Sequence, residues 1–220
     1  MPDRAGCCAV CLAGGAEGEW LEFSEQRLAD LQQTLENMGL KRGQIFIEWM
    51  KTQNQYLQWE TGFEPSKLRK YNRSDIIYVN FGFNPGSEIG GLHYAVVMDD
   101  NEKSNPVVNV IPLGSLELGQ TKDILHKHEI YIGVISGMNG KEAFAIPNQF
   151  QPISKLRIYR PRKGSDLVVK LPAQFMDMID EKIIGLFTRK FSKAITQLEA
   201  AKNTAAAGRE NIVQSSEQSI

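Results

Sequence analysis

The reading of this chain turns on residues 76–98, IIYVNFGFNPGSEIGGLHYAVVM. Tyr78-Val79-Asn80-Phe81 reads as the end of one strand and Ala95-Val96-Val97-Met98 as the body of another. Between them the chain passes through four glycines, a proline, a glutamate and a histidine. A hairpin connection needs only about two to five residues. The segment is therefore longer than joining two strands requires, which makes it the first candidate for a functional loop.

Downstream of this segment, short β-branched runs recur between Gly, Asn and Pro clusters. Candidate strands are 76–81, 92–98, 107–113, 129–135, 142–146 and 156–159. Six short strands at such spacing predict a small barrel or sandwich. Upstream the period is helical. Ser24 is a good N-cap, flanked by Phe23 and Leu28 at staple positions, and Leu28, Leu31, Leu35 and Met38 follow before Gly39 ends the run. A second helix is predicted over 44–60, with Ile45, Phe46, Trp49, Met50, Tyr56, Leu57 and Trp59 on a broad apolar face. The two predict a helical hairpin. Pro172 opens a C-terminal helix whose Phe175, Ile179, Ile183, Leu186 and Phe187 form one stripe. The expected organisation is a flexible leader at 1–20, a helical hairpin at 21–62, a barrel domain with its C-terminal helix at 72–200 and a disordered tail at 201–220.

Composition narrows the function. The 220 residues carry a formal charge of −1, so any nucleic-acid binding has to come from a local patch. Cys7, Cys8 and Cys11 are the only cysteines, which leaves the main domain without a disulfide framework and fits a reducing cytoplasm. Cys8-x-x-Cys11 lacks a second pair and His126-x-His128 lacks a third ligand, so no metal site is expected. No run reaches the roughly 18 apolar residues of a membrane span. A Walker loop, Gly-x-Ser-x-Gly and His-Glu-x-x-His are absent, and Gly86-x-x-x-Gly90 has no helix after it to hold a phosphate.

Several segments together resemble the PemK/MazF family of type II toxin–antitoxin toxins. They are Asp75-Ile-Ile-Tyr-Val, Pro85-Gly-Ser-Glu-Ile-Gly-Gly-Leu-His93, Ala95-Val-Val, Val108-Asn-Val-Ile-Pro-Leu-Gly-Ser115 and Gln149-Phe-Gln-Pro-Ile-Ser-Lys-Leu-Arg157. The resemblance implies a mainly β fold with flanking helices, an SH3-like small β-barrel of the CcdB/MazF/PemK type. It also implies a homodimer, an antitoxin partner and cleavage of single-stranded RNA without metal or other cofactor. The implied chemistry is attack of a ribose 2′-OH on the adjacent phosphate, which needs a base, an acid and donors for the developing charge.

The arginine and threonine positions of the family are His93 and Gly114 here, with Ser115 next. The expected catalytic group is His93 as acid, base or phosphate binder, Ser115 as a donor and Glu88 as base or loop organiser. Expected RNA contacts are Asn84, Ser87, Gly90, Gly91, Tyr94, Lys122, Gln149, Gln151 and Lys155. An alternative is a catalytically weakened module that uses the same barrel to bind RNA, DNA or protein.

Overall fold

The computed structural model describes residues 17–188. The predicted leader with its three cysteines (apart from the first residues of helix α1), the last part of the predicted 72–200 domain and the 201–220 tail lie outside them. The described residues divide into two compact units, one ending at Thr52 and the other beginning at Gln53. In the first, α1 (Glu17–Glu36) and the start of α2 (Leu40–Glu60) are separated by a short break at 37–39. α1 begins seven residues ahead of the expected cap, and Ser24 lies inside it, donating its hydroxyl to the Leu21 carbonyl. Leu28, Leu40, Ile45 and Ile47 are exposed in this unit.

The second unit is an antiparallel sheet with helical flanks. Its strands are β1 (Asp75–Asn80), β2 (Leu92–Val97), β3 (Val107–Ser115), β4 (Ile130–Val134), β5 (Glu142–Ala145), β6 (Gln151–Ser154), β7 (Ile158–Arg160) and β8 (Val169–Lys170). They follow the order β4-β5-β3-β2-β1-β7, with β6 added to β3 and β8 to β1. Among the described residues this path does not close on itself, so the fold is mainly β with flanking helices, built as an open eight-stranded antiparallel sheet. His126 and His128 fall in the turn before β4, where the Glu129 carboxylate accepts from the His126 amide.

Alternation sorts the apolar residues onto two faces. Ile76, Val96, Ile111 and Leu113 join Met176 and Ile179 of α3 (Ala173–Phe187) in one core. Ile77, Val79, Ala95, Val97, Val108 and Val110 form the other with Tyr71, Phe81, Ile153 and Ile158. Because both faces are covered, β1 to β3 read as continuous apolar runs.

Two polar anchors tie the chain ends of this sheet. Arg73 bonds the Met98 carbonyl and the Asp180 carboxylate, both at 2.6 Å, linking the start of β1 to α3. Asp75 is fully buried, accepts the Asn72 amide at 3.0 Å, and has Lys170 at 3.4 Å and Arg69 at 3.9 Å to balance its charge.

Candidate functional site

The β1–β2 loop leaves and re-enters the sheet through a closed neck. The Phe81 amide donates to the Gly91 carbonyl at 2.8 Å and the Gly91 amide to the Gly82 carbonyl at 2.6 Å. A Cβ on Gly90 would stand 2.9 Å from the Gly82 carbonyl oxygen, so only glycine lets the two limbs come this close. Gly91 has φ of 76°, the left-handed conformation that turns the chain into β2.

Two amide side chains hold the loop from inside. Asn84 Nδ2 donates to the Ile89 carbonyl at 2.6 Å, bridging the limbs. Gln149, on the turn after β5, accepts the Ile89 amide through Oε1 at 3.3 Å and donates through Nε2 to the Ser87 carbonyl at 3.1 Å. At the neck, Arg157 donates to the Phe81 carbonyl at 3.2 Å. The Glu88 carboxylate is exposed and makes no hydrogen bond among the described residues. Asn84 and Gln149 therefore do the organising that the sequence suggested for Glu88.

His93 is the second residue of β2, at the mouth of this loop. It pairs with Val79, is half-buried, and its ring centroid lies 6.5 Å from that of the buried Phe81. Tyr94 pairs with Leu113, so the next positions outward are His93 and Gly114. Gly114 in turn pairs with Phe144, and Phe144 with Tyr131. Directly paired residues share a face. One end of one face thus carries His93, Gly114, Phe144 and Tyr131 in a row across β2, β3, β5 and β4.

Within this row the Phe144 ring lies over Gly114. A Cβ on Gly114 would meet Cε2 at 2.6 Å, Cε1 at 2.8 Å and Cζ nearer still. The space that a threonine would fill is occupied by the aromatic ring. Ser115 pairs with Ala143 and by alternation belongs to the opposite face, so the structure does not bring its hydroxyl to His93.

Three of the residues expected to contact RNA are held by other groups. Lys155 is fully buried, and its ammonium donates to the Glu102 and Lys103 carbonyls at 2.9 and 3.3 Å while lying 5.7 Å from the Tyr71 ring centroid. Burial holds its pKa below the ordinary lysine value, and the side chain caps the 102–103 loop instead of reaching a phosphate. Tyr94 faces away from His93, toward α3, and accepts a hydrogen bond from Arg160 at 3.0 Å. Gln149 has both ends of its amide engaged by the loop. Ser87 and Gly91 are exposed on the loop, Gly90 is half-buried there, Gln151 lies in β6, and Lys122 is exposed in the turn before β4. Lys122 lines a separate cavity of about 790 Å³ with Lys127, His128 and Lys182. Among the described residues no three His, Cys, Asp or Glu side chains are grouped to hold a metal ion. Phe144 and Arg160 carry site geometry that sequence reasoning missed. The only sequence signal for Phe144 was its place in a short alternating strand.

A family model described as the PemK-like, MazF-like toxin of type II toxin–antitoxin systems matches residues 72–187. Among solved structures, the crystal structure of MazF (Form-I) from Deinococcus radiodurans is 13% identical over 54% of this chain and 96% of its own, with a TM-score of 0.38. The MazE-MazF structure (Form-II) from the same organism is 14% identical over 55% of this chain and 98% of its own, also at 0.38. No curated protein matches the chain.

Proposed function

Because this chain belongs to the PemK-like, MazF-like toxins of type II toxin–antitoxin systems, we propose that it is an endoribonuclease that cleaves single-stranded RNA by 2′-OH attack, without a metal. In this reading the toxin acts in the cytoplasm as a homodimer and is silenced by a cognate antitoxin. No helix among the described residues is long and apolar enough to cross a membrane.

The observation that carries the reading is the clamped β1–β2 loop with His93 at its mouth. A loop held by Asn84 and Gln149 through neutral hydrogen bonds presents backbone amides and glycine surfaces to a phosphate without rearrangement. His93 then supplies the proton transfer, taking the 2′ proton or protonating the leaving 5′ oxygen. Arg157, held at the loop neck by the Phe81 carbonyl, is the cation this reading assigns to the phosphate. The test is cleavage of a mixed single-stranded RNA pool in EDTA, with ends mapped, beside His93→Ala. Cyclic-phosphate ends that disappear in the variant support the reading. No cleavage by the wild-type chain sinks it.

A second reading, an RNA-, DNA- or protein-binding module with weakened catalysis, is favoured by one feature. Phe144 fills the place of the threonine hydroxyl with an aromatic surface. Tight RNA binding without turnover would select this reading over the first.

A further inference from the structure

On the sheet face opposite His93 lies a cavity of about 570 Å³ that the cleavage chemistry does not use. Its volume falls within the roughly 300–1,000 Å³ of small-ligand sites. Tyr78, Tyr94 and Arg160 form one side, and Met138, Asn139 and Leu167 come from two loops across it. Tyr78 and Tyr94 are direct partners on β1 and β2, with ring centroids 4.8 Å apart. Tyr159 stands edge-on to Tyr78 at 6.4 Å. The Arg160 guanidinium carbon is 5.2 Å from the Tyr78 centroid and 5.9 Å from that of Tyr94, and one nitrogen donates to the Tyr94 hydroxyl at 3.0 Å.

The charges point to an anionic, flat ligand. Asp166 is the acid at the cavity, but its Oδ2 accepts the Arg162 and Lys163 amides at 2.7 and 2.8 Å. Those bonds hold the 162–166 turn. Arg160 has no carboxylate partner among the described residues, and the rest of its donor fork is uncommitted. Aromatic faces accept any base, and an oriented guanidinium binds phosphate through paired donors.

We propose that the Tyr78–Tyr94–Arg160 cavity is a second nucleotide site, holding one unpaired nucleotide of single-stranded RNA by its base on the tyrosine pair and its phosphate on Arg160. The ligand class rests on the RNA reading above. The site lies away from the reacting atoms, so it sets how long an RNA must be and which strand direction it takes across the sheet edge at β7.

The test uses the full chain and a short 2′-O-methyl oligonucleotide, which has no free 2′-hydroxyl to attack, together with nucleoside monophosphates. Affinity is measured by fluorescence anisotropy and calorimetry across a salt series. Tyr94→Leu is expected to weaken oligonucleotide binding about tenfold or more, and Tyr94→Phe to keep most of it. Arg160→Gln, on an exposed edge position that leaves the core intact, is expected to weaken binding and to reduce the salt slope by about 0.7, one phosphate's share on a single strand. Unchanged affinity and slope in Arg160→Gln would overturn the proposal, as would a wild-type chain that binds neither probe. The two readings fail separately. His93-dependent cleavage with normal binding by Arg160→Gln removes only the second site, and Arg160-dependent binding without cleavage of natural RNA removes only the nuclease.

Discussion

Replacing Gly114 tests the link between the sheet register and the missing hydroxyl. Any side chain at this position starts with a Cβ 2.6 to 2.8 Å from two Phe144 ring atoms and nearer to a third, inside the 3.0 Å that real Cβ atoms keep. These are the far atoms of the ring, so the clash is relieved only if Phe144 swings off its cross-strand partner. Overpacking of this kind costs about 1–3 kcal/mol, offset by about 0.5–1 kcal/mol from removing a strand glycine. Gly114→Ala is therefore expected to change stability by between about zero and about 2.5 kcal/mol, on the destabilising side. In a Phe144→Ala background the clash is gone, and the same change is expected to stabilise by about 0.5–1 kcal/mol. The coupling across the four-protein cycle, measured by urea unfolding, is expected at about 1–3 kcal/mol. A coupling within the roughly 0.5 kcal/mol of additive sites would refute the overlap. The same logic extends to activity. Gly114→Thr alone is expected to leave cleavage flat or lower it, while Gly114→Thr with Phe144→Ala has room for the hydroxyl. A correctly placed donor is worth up to about a hundred- to a thousandfold, so the double variant is expected to cut RNA faster than Phe144→Ala alone.

Gln149→Ala removes two hydrogen bonds to the loop, each worth about 0.5–1.5 kcal/mol; amide exchange at Ile89 is expected to quicken and cleavage to fall while the melting transition stays cooperative. Lys155→Met strands the Glu102 and Lys103 carbonyls and is expected to cost about 1–3 kcal/mol in urea unfolding, with RNA affinity unchanged; a loss of affinity at full stability would restore Lys155 as a contact. The Tyr71 hydroxyl donates to the Pro161 carbonyl at 2.8 Å, and burial pushes its pKa up to about 12. A raised folded pKa gives stability that is whole below the unfolded value of about 10 and is lost as pH climbs through 12. Wild type is thus expected to lose about 2–3 kcal/mol more than Tyr71→Phe between pH 9 and 12 in chemical unfolding, and equal slopes would reject this.

Much of the fold could be read in the sequence because apolar alternation is strong where both sheet faces are buried. The β1 and β2 runs were visible to within a residue or two of their observed ends. β6 was not, since its four residues include Pro152 and a single buried apolar side chain, Ile153. β8 has two residues, too few for any period. The α1 start was misread because Ser24 has the chemistry of a cap, yet a serine inside a helix satisfies its hydroxyl on a preceding carbonyl, as it does on Leu21.

The site was legible as a loop and obscure as a surface. Its glycines and His93 stand together in the chain, whereas the ring over Gly114 comes from a residue thirty positions later and needs the β3–β5 register to place it. Lys155 looked like a free cation because nothing near it in sequence reveals the 102–103 loop that it caps. Tyr94 is the exception, since strict alternation from His93 already puts it on the other face.

The neutral clamp on the β1–β2 loop has a consequence for kinetics. Asn84 and Gln149 carry no ionisable group, and backbone bonds join the two limbs of the glycine neck, with Arg157 added at the Phe81 carbonyl. The loop's shape is therefore uncoupled from the protonation of its holders. If the chain cleaves RNA as proposed, the pH–rate profile of the wild-type chain is expected to report ionisation at the reacting atoms and not the opening of the scaffold.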